Sequence, residues 1–290
     1  GPADDTEPVE ACGPAEEPAS EAATAAETSQ NPPADFERET EGIIEDDFIV
    51  PAAVAINPAS GRKFRAKVSL PSFYDSREKG LITEAKDQGD SEICWAYSAV
   101  SCAETSAILN EIDPAPDFSE RHLACFFSVP TYHESGMCGD DAVYYISMGD
   151  DYMYGGGNNR YTTFCMANWT GVSSEEDYPG EGAWDGDRSL PDSRALDDRV
   201  HLENAAWIPM TDTAFIKQEI MRLGSVSSAY YYKKGAYYNS ETHAYYNDRF
   251  TATNHAITIV GWDDNYSAEN FLSAPGRDGA WLVKNSWGTS

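Results

Sequence analysis

Hydrophobic and polar positions divide the chain into a polar beginning and a globular remainder. Residues 1–42 are rich in Ala, Glu, Pro, Ser and Thr and contain almost no large apolar side chains. Such a segment cannot bury enough apolar surface to offset its ordering entropy, so we predict a disordered acidic leader there. Residues 43–70 carry short apolar groups and a basic patch, which predict strands or a linker lying along the folded body. From residue 71 the pattern is typical of a globular domain.

Helical patterns dominate the first half of this domain. Residues 94–109 contain no Gly or Pro, and Ala, Ser and Cys are abundant among them. This composition predicts a helix that neighbours approach closely on several sides. The segment 119–127 predicts a second helix with a Ser or Asp cap, and a third helix is predicted near 159–169. The larger side chains of the first helix are expected on one face: Trp95, Ala99, Cys102, Ser106 and Leu109.

Beyond residue 200 the apolar runs become short and strand-like. The run at 254–262 is apolar on both faces, which predicts a central, buried strand. A helical half followed by a β half indicates an α+β protein, which we divide into a helical lobe at 71–200 and a β lobe at 201–290 with a cleft between them. The other elements predicted in the β lobe are a short helix at 215–223 and strands at 225–230 and 280–287.

Composition excludes several classes of function. The formal charge of −29 and a pI near 4.3 argue against nucleic-acid binding, because contacts to phosphates need clustered Lys and Arg. The chain has no run of eighteen apolar residues, so we expect no membrane span. Its six cysteines include no CxxC pair, and its acidic clusters lack EF-hand spacing, so we expect no metal and no cofactor.

Three polar residues stand out against their surroundings. Cys94 begins the first helix, where unpaired N–H groups and the helix dipole favour a thiolate. His255 opens the buried apolar strand, and Asn285 lies in another apolar run. Each has an ordinary structural explanation when taken alone. Together, and in that order along the chain, they supply a nucleophile, a base and a group that orients the base, which are the parts that nucleophilic catalysis requires.

Three motifs carry a family resemblance. The first runs from Gln88-Gly89 to Cys94-Trp95-Ala96-Tyr97-Ser98-Ala99, the second is Asn254-His255-Ala256 followed by Val260-Gly261-Trp262, and the third is Trp281-x-Val283-Lys284-Asn285-Ser286-Trp287-Gly288. In these motifs the chain resembles the papain-like cysteine peptidases over about residues 70–290. It is most similar to bacterial members of the clostridial type, which are surface or secreted proteins.

The resemblance implies roles for individual residues. The protein would be a cysteine endopeptidase in which Cys94 and His255 form a thiolate–imidazolium pair. Cys94 would be the nucleophile, His255 the general base and acid, and Asn285 the residue that orients the imidazole. Gln88 would donate a hydrogen bond to the oxyanion beside the backbone N–H of Cys94. The remaining residues implied are Gly156, Gly157 and Asn158 for substrate binding, with Trp95 and Trp287 in support.

The resemblance also implies an organisation for the whole molecule. The fold would have two lobes, with a helical N-terminal lobe and a β-sheet or barrel C-terminal lobe whose last strands are truncated here. Polypeptides would be the substrates, and the protein would be a monomer. Residues 43–70 would form a propeptide removed near Leu70, which makes the protein a zymogen. It would be secreted or held at the cell surface by modules missing from this fragment.

The chain also departs from the family pattern. Residues Ser91-Glu92-Ile93 replace the family's Cys-Gly-Ser before the nucleophile, and Tyr154 stands where that cysteine's disulfide partner is expected. A charged and a bulky residue beside Cys94 favour one alternative, a catalytically weak or silent surface interaction protein. A further alternative is that the same site performs acyl transfer or deamidation instead of hydrolysis. Seven tyrosines between residues 230 and 246 predict a strand pair covering the β lobe in preference to a dedicated binding platform. The two are compatible, because tyrosine is common on recognition surfaces.

Overall fold

This computed structural model describes residues 69–128, 131–132, 138–139, 152–167, 170–180, 190–249 and 251–289. The predicted leader at 1–42 and nearly all of segment 43–70 lie outside the described residues. The helices are α1 (Cys94–Leu109), α2 (Glu120–Ser128), α3 (Asn159–Ala167) and α4 (Thr213–Leu223). The strands are β1 (Phe73–Asp75), β2 (Thr131–Tyr132), β3 (Cys138–Gly139), β4 (Val226–Tyr230), β5 (Tyr238–Asn239), β6 (Ala244–Tyr245), β7 (His255–Asp263) and β8 (Ala280–Lys284).

These elements confirm the predicted α+β class. Helices predominate before residue 200 and strands after it, although the first half also contains the short strands β1, β2 and β3 and the second half contains α4. The predicted strand pair in the tyrosine-rich segment is also present, because β5 and β6 pair antiparallel. None of the helices in the described ranges has the length and apolar character needed to cross a membrane.

Helix α1 has the predicted bounds but lacks the predicted single apolar face. Ser106 is exposed and Leu109 is 39% exposed, whereas Val100 and Glu104 on other faces are buried. The physical reason is that α1 contacts α2 and α3 as well as strands β4 and β7. Its many small side chains let these neighbours approach from several directions, so burial follows the neighbours rather than one stripe.

Strand β7 is the centre of the main sheet, as its unbroken apolar pattern predicted. One of its edges pairs with β4 along residues 255–259 and then with β1 along 261–263, while the other edge pairs with β8. All pairings are antiparallel. The contact with β1 requires a glycine, because a Cβ at Gly261 would lie 2.2 Å from the carbonyl oxygen of Tyr74.

Hydroxyl groups join α1 to the sheet. The Ser98 hydroxyl donates to the carbonyl of Ile257 at 2.8 Å and lies 2.6 Å from the Ser227 hydroxyl. Thr258 in turn donates to the carbonyl of Ser98 at 3.2 Å. These buried polar groups are satisfied by one another, so α1 is held in a defined position along β7.

Apolar cores lie on both sides of this junction. One packs Trp95 and Val100 of α1 against α2 and α3, with Leu123 and Phe127 fully buried. The other packs α4 against the sheet, through Ile220 and Trp262. Helix α1 and strand β7 meet between the two cores, and packing on both sides holds them in place. The first residue of each is a candidate site residue, Cys94 in α1 and His255 in β7.

Candidate active site

The thiol of Cys94 lies at the start of α1 against the start of β7. Cys94 is the first residue of the helix, and the preceding Ile93 provides no side-chain cap. The backbone N–H of Ala256 donates to the Cys94 Sγ at 3.4 Å. Both Cys94 and His255 are fully buried. The thiol is therefore fixed by the helix on one side and by the residue next to His255 on the other.

Asn285 fixes the imidazole of His255. Antiparallel pairing of β7 with β8 brings the first residue of β7 to the end of β8, where Asn285 follows Lys284. The Asn285 Oδ1 lies 2.7 Å from the His255 Nε2, and it also accepts the backbone N–H of Ser286 at 2.9 Å. Because this oxygen is an acceptor, Nε2 is the protonated nitrogen and Nδ1 carries the lone pair.

Trp287 covers the imidazole. Its ring stacks on that of His255 with centroids 4.8 Å apart and planes inclined by 22°. Trp287 itself remains 37% exposed. The indole therefore lies between solvent and the hydrogen bond that holds the histidine, where exclusion of water strengthens that bond.

Burial also controls the charge of His255. Desolvation lowers the pKa of the imidazole from its ordinary 6.5 to about 4, and the hydrogen bond from Nε2 to Asn285 opposes this shift. Neutral imidazole is thus the favoured form at physiological pH, whereas the resemblance predicts an imidazolium paired with the Cys94 thiolate; the physical reason for the difference is the burial of the ring. A neutral imidazole with its lone pair on Nδ1 can accept a proton.

Gln88 is attached to the segment that carries Asn285. The backbone N–H of Gln88 donates to the carbonyl of Ser286 at 2.8 Å, and the Ser286 hydroxyl donates to the Gln88 Oε1 at 2.5 Å. The Gln88 Nε2 donates one hydrogen bond, to the carbonyl of Ser91 at 2.7 Å. An amide nitrogen has two hydrogens, so a second donor remains on the same group. Its direction is set by partners at both ends of the amide.

The glycine pair, Gly156 and Gly157, lies against the first turn of α1. A Cβ at Gly157 would lie 2.5 Å from the Trp95 ring, so the backbone passes closer to the indole than any other residue allows. Gly156 has a φ of +66°. Trp95 is fully buried and also packs on Phe127. Trp95 therefore supports the glycine pair and follows the thiol directly in sequence.

Asn158 has local contacts of its own. Its side chain is buried, and its Oδ1 accepts the backbone N–H of Arg160 at the start of α3 at 3.0 Å. These contacts cap the helix. A role for Asn158 in binding substrate stays a prediction.

Of the residues that depart from the family pattern, Ser91 and Ile93 are buried, whereas Glu92 is half-buried and Tyr154 is 40% exposed. Ile93 is fully buried within the helical core, and the backbone N–H of Glu92 donates to the carbonyl of Met153 at 2.7 Å. Among the described residues, Cys94, Cys102, Cys125 and Cys165 are not joined by disulfide bonds. Ile93 thus fills the interior, and a hydrogen bond joins the turn before Cys94 to the segment before the glycine pair.

Buried charges lie behind the site. Lys86 forms ion pairs with Asp117 at 2.8 Å, Glu120 at 3.2 Å and Glu104 at 3.4 Å, and the two glutamates are almost fully buried. Burial alone would lower the pKa of Lys86, but the surrounding carboxylates outweigh it and raise the pKa. Lys284 reaches the same cluster, with its Nζ 3.8 Å from Glu104. The cluster joins the segment before Gln88 to the strand before Asn285.

The sequence did not identify three residues that shape the site. Ser286 holds Gln88, and Asn254 forms two hydrogen bonds with the backbone of Tyr232. The sequence could have pointed to Asn254 because it precedes His255, and to Ser286 because it follows Asn285. Nothing in the sequence separates Tyr232 from the six tyrosines around it. Within the described ranges, no cluster of His, Cys, Asp or Glu has a geometry suited to a metal ion.

Comparison with known proteins gives one consistent result. A family model described as papain family cysteine protease matches residues 70–290. A cathepsin L-like peptidase of Aedes aegypti is 26% identical over 234 residues, covering 78% of this chain and 57% of that protein. Procathepsin L of Felis catus is 28% identical over 229 residues, covering 77% of this chain and 58% of that protein. The chain thus spans somewhat more than half the length of these relatives.

A solved structure is also similar. It is the clostridial cysteine protease Cwp84 after propeptide cleavage, with a TM-score of 0.63 and 30% identity. The match covers 75% of this chain and 51% of that one. Another structure of Cwp84 describes it as a surface layer associated protein of Clostridium difficile.

Proposed function

The chain belongs to the papain family of cysteine proteases, and we propose that it hydrolyses peptide bonds in polypeptides through Cys94, His255 and Asn285. The observation that carries this proposal is the geometry around His255. Its Nε2 is bound to Asn285 at 2.7 Å, while the neighbouring N–H of Ala256 contacts the Cys94 Sγ. Nε2 of the imidazole is thus engaged by Asn285, which orients the ring, and Nδ1 is the base.

The proposed reaction begins with proton transfer. Nδ1 of His255 takes the proton of the Cys94 thiol, and the resulting thiolate attacks the carbonyl carbon of the scissile bond. The carbonyl oxygen becomes an oxyanion, stabilised by the second Nε2 hydrogen of Gln88 and by the backbone N–H of Cys94 at the helix start. The imidazolium then protonates the leaving amine as the C–N bond breaks.

The second half of the proposed reaction releases the acyl group. Cys94 now carries a thioester, and water enters in place of the amine. Neutral His255 takes a proton from this water, whose oxygen attacks the thioester carbonyl and displaces the thiolate. The carboxylic acid leaves, and the proton held by the imidazole restores the thiol–imidazole pair. No metal or organic cofactor takes part in any of these steps.

The test of this proposal uses two cysteine variants. Cys94→Ala is expected to abolish both cleavage of an unfolded protein and labelling by a thiol-directed epoxide. Cys102→Ala is the matched control, since Cys102 lies on the same helix but away from its N-terminus, and desolvation raises the pKa of its thiol. That variant is expected to keep cleavage and labelling. Labelling that persists in Cys94→Ala and disappears in Cys102→Ala would contradict the proposal.

We further propose that residues 43–70 are a propeptide. The family match begins at residue 70, and one similar structure is of a protein after propeptide cleavage. N-terminal sequencing of wild type and Cys94→Ala after incubation tests this idea. Trimming near Leu70 in wild type alone is expected, whereas an intact chain in an active wild type would overturn it.

We also propose a location outside the cell. The support is the resemblance to Cwp84, which is described as surface layer associated. Mild proteolysis of intact producing cells, followed by immunoblotting, is expected to remove the protein together with a known surface marker. Recovery of the full amount within protease-treated cells would contradict this location.

A further inference from the structure

Tyr232 is fixed to the residue that precedes the imidazole. The side-chain Oδ1 of Asn254 accepts the backbone N–H of Tyr232 at 2.6 Å, and its Nδ2 donates to the backbone carbonyl of Tyr232 at 2.9 Å. Asn254 is directly followed by His255. These two hydrogen bonds hold the backbone N–H and the backbone carbonyl of Tyr232. The position of Tyr232 is therefore coupled to that of the imidazole.

The ring of Tyr232 forms an aromatic corner with Trp287. Their centroids lie 4.6 Å apart and their planes are inclined by 58°. The Tyr232 centroid is also 6.0 Å from that of His255, on which Trp287 stacks. Tyr232 is half-buried and Trp287 is 37% exposed. Two inclined aromatic faces beside the catalytic base thus keep accessible surface.

Tyr245 supports this corner from behind. Its ring lies 5.8 Å from that of Tyr232, and its hydroxyl donates to the carbonyl of Tyr231 at 2.9 Å. The same hydroxyl accepts the backbone N–H of Lys233 at 3.2 Å. Burial raises the pKa of Tyr245 to about 12, so the hydroxyl keeps its proton and its donor role. The backbone on both sides of Tyr232 is therefore held in place, and the corner is preformed.

The chemistry of the proposed reaction decides which part of a substrate reaches this corner. His255 must deliver its proton to the leaving amine, so the first residue of the leaving segment passes beside the imidazole. The acyl half is bonded to Cys94, next to Trp95 and Gly157. The corner of Tyr232 and Trp287 is on the histidine side, and it therefore faces the leaving half.

We propose that Tyr232 determines specificity for an aromatic side chain on the first residue of the leaving segment. This inference rests on the proposed peptidase function. Two preformed aromatic faces inclined to each other favour a third ring, because aromatic side chains prefer tilted and edge-to-face contacts at 4.5–7 Å. A preformed site also lowers the ordering cost of binding.

The test compares peptides that differ only in the first residue of the leaving segment. Internally quenched peptides carry Phe, Ala or Glu there, with an identical acyl half, and a peptidyl coumarin amide has no leaving residue at all. We expect wild type to cleave the Phe peptide with a kcat/KM about tenfold above that of the Ala peptide. The Phe-to-Ala ratio is the readout, because a general loss of activity does not change it.

Variants of the tyrosines assign the preference. Tyr232→Ala and Tyr232→Leu are expected to reduce the ratio to between about one and two, and Tyr232→Phe to retain it, since the ring makes the contact. The leucine variant keeps most of the buried volume, so the test survives if the alanine variant is unstable. Tyr238→Ala is the matched control, because Tyr238 is an exposed tyrosine of the nearby strand β5 whose hydroxyl is hydrogen-bonded to His243. It is expected to keep the wild-type ratio.

The outcomes separate this inference from the proposed function. Cleavage of the coumarin amide with no preference for Phe would overturn the role of Tyr232 and leave the peptidase function standing. An unchanged ratio in a folded Tyr232→Leu variant would do the same. No turnover of any substrate by wild type would contradict the proposed function, and this inference would fall with it.

Discussion

The side chain of Asn285 determines which nitrogen of His255 carries the proton. Its Oδ1 accepts Nε2–H of the imidazole at 2.7 Å and the backbone N–H of Ser286 at 2.9 Å. Turning the amide over would place its NH₂ group against the backbone N–H of Ser286, so that donor fixes the orientation of the amide. The tautomer of the histidine is a consequence of where β8 ends.

Replacing Asn285 by Ala is therefore expected to reduce kcat by about 10- to 100-fold. The imidazole loses its orienting partner, and the other tautomer becomes accessible. Steady-state kinetics on an unfolded protein substrate measures the loss. Asn265→Ala, which alters an exposed asparagine in the turn after β7, is the control and is expected to match wild type. Equal rates for the two variants would contradict the orienting role.

The acid limb of the pH–rate profile is expected near pH 4 rather than 6.5. Burial lowers the pKa of His255 to about 4, so the neutral base persists until the solution is quite acidic. Measurement of kcat/KM between pH 3 and 8 gives the midpoint directly. In Asn285→Ala the bond that opposes the shift is missing, so the remaining activity is expected to fall at a still lower pH. A midpoint near 6.5 in wild type would be inconsistent with a buried imidazole.

The same shift predicts how stability depends on pH. The folded protein binds a proton at His255 less readily than the unfolded chain does. This residue's contribution to the free energy of unfolding is therefore complete above about pH 6.5 and is lost as pH falls through about 4. Urea unfolding across this range is expected to show a shallower pH dependence in His255→Ala than in wild type. His243→Ala, at an exposed histidine, is expected to retain the wild-type dependence.

Ser286→Ala is expected to reduce kcat/KM by about 5- to 20-fold. The Ser286 hydroxyl donates to the Gln88 Oε1 at 2.5 Å, and its loss leaves the proposed oxyanion donor less well directed. A double-mutant cycle with Gln88→Ala is the measurement, with Gln88→Ala alone expected to cost about 100-fold. If Ser286 acts through Gln88, removing it has little further effect in the Gln88→Ala background. Independent, multiplying losses would argue for a separate role.

Gly157→Ala is expected to destabilise the fold by about 1–3 kcal/mol, because its Cβ would lie 2.5 Å from the Trp95 ring. Gly276→Ala is the matched control, as nothing lies within 4 Å of the added Cβ, and it is expected to be neutral or slightly stabilising. Urea unfolding compares the two directly. Equal stabilities would show that Trp95 moves aside without cost.

Lys86→Met is expected to destabilise the protein by about 3–5 kcal/mol, since the buried carboxylates of Glu104 and Glu120 lose their nearest cation. Methionine retains the apolar stem, so lost packing contributes little. Arg222→Met removes a cation that is 61% exposed and paired with Glu219, and its cost is expected to stay within about 0.5 kcal/mol. Thermal unfolding of both variants measures the contrast.

Local sequence signals predicted the elements that carry the site. The run of residues 94–109 without Gly or Pro gave the bounds of α1, and the apolar run at 254–262 gave β7 to within one residue. Cys94, His255 and Asn285 were conspicuous because each is a polar residue at the edge of such an element. The apolar face assigned to α1 was wrong because small residues let neighbours pack on several sides.

The long-range contacts could not be predicted in the same way. Strand β1 has only three residues, and it exists because Gly261 lets it approach β7. The ion pairs of Lys86 join residues that are far apart along the chain, and the hydrogen bonds of Asn254 select one of the seven tyrosines in that segment. Each depends on the position of a partner that the local pattern does not contain.

The bridge between residues 86–88 and 286–288 has a consequence for the order of assembly. Backbone hydrogen bonds join Gln88 to Ser286 and Gly288 to Lys86 across 198 and 202 positions of the chain. The loop-closure entropy of such contacts must be overcome before they return any stabilisation. During synthesis, Cys94 and His255 leave the ribosome before Asn285 and Ser286 do. A nascent chain therefore holds its nucleophile and base before the groups that orient them, and competence for catalysis has to await residues 285–288.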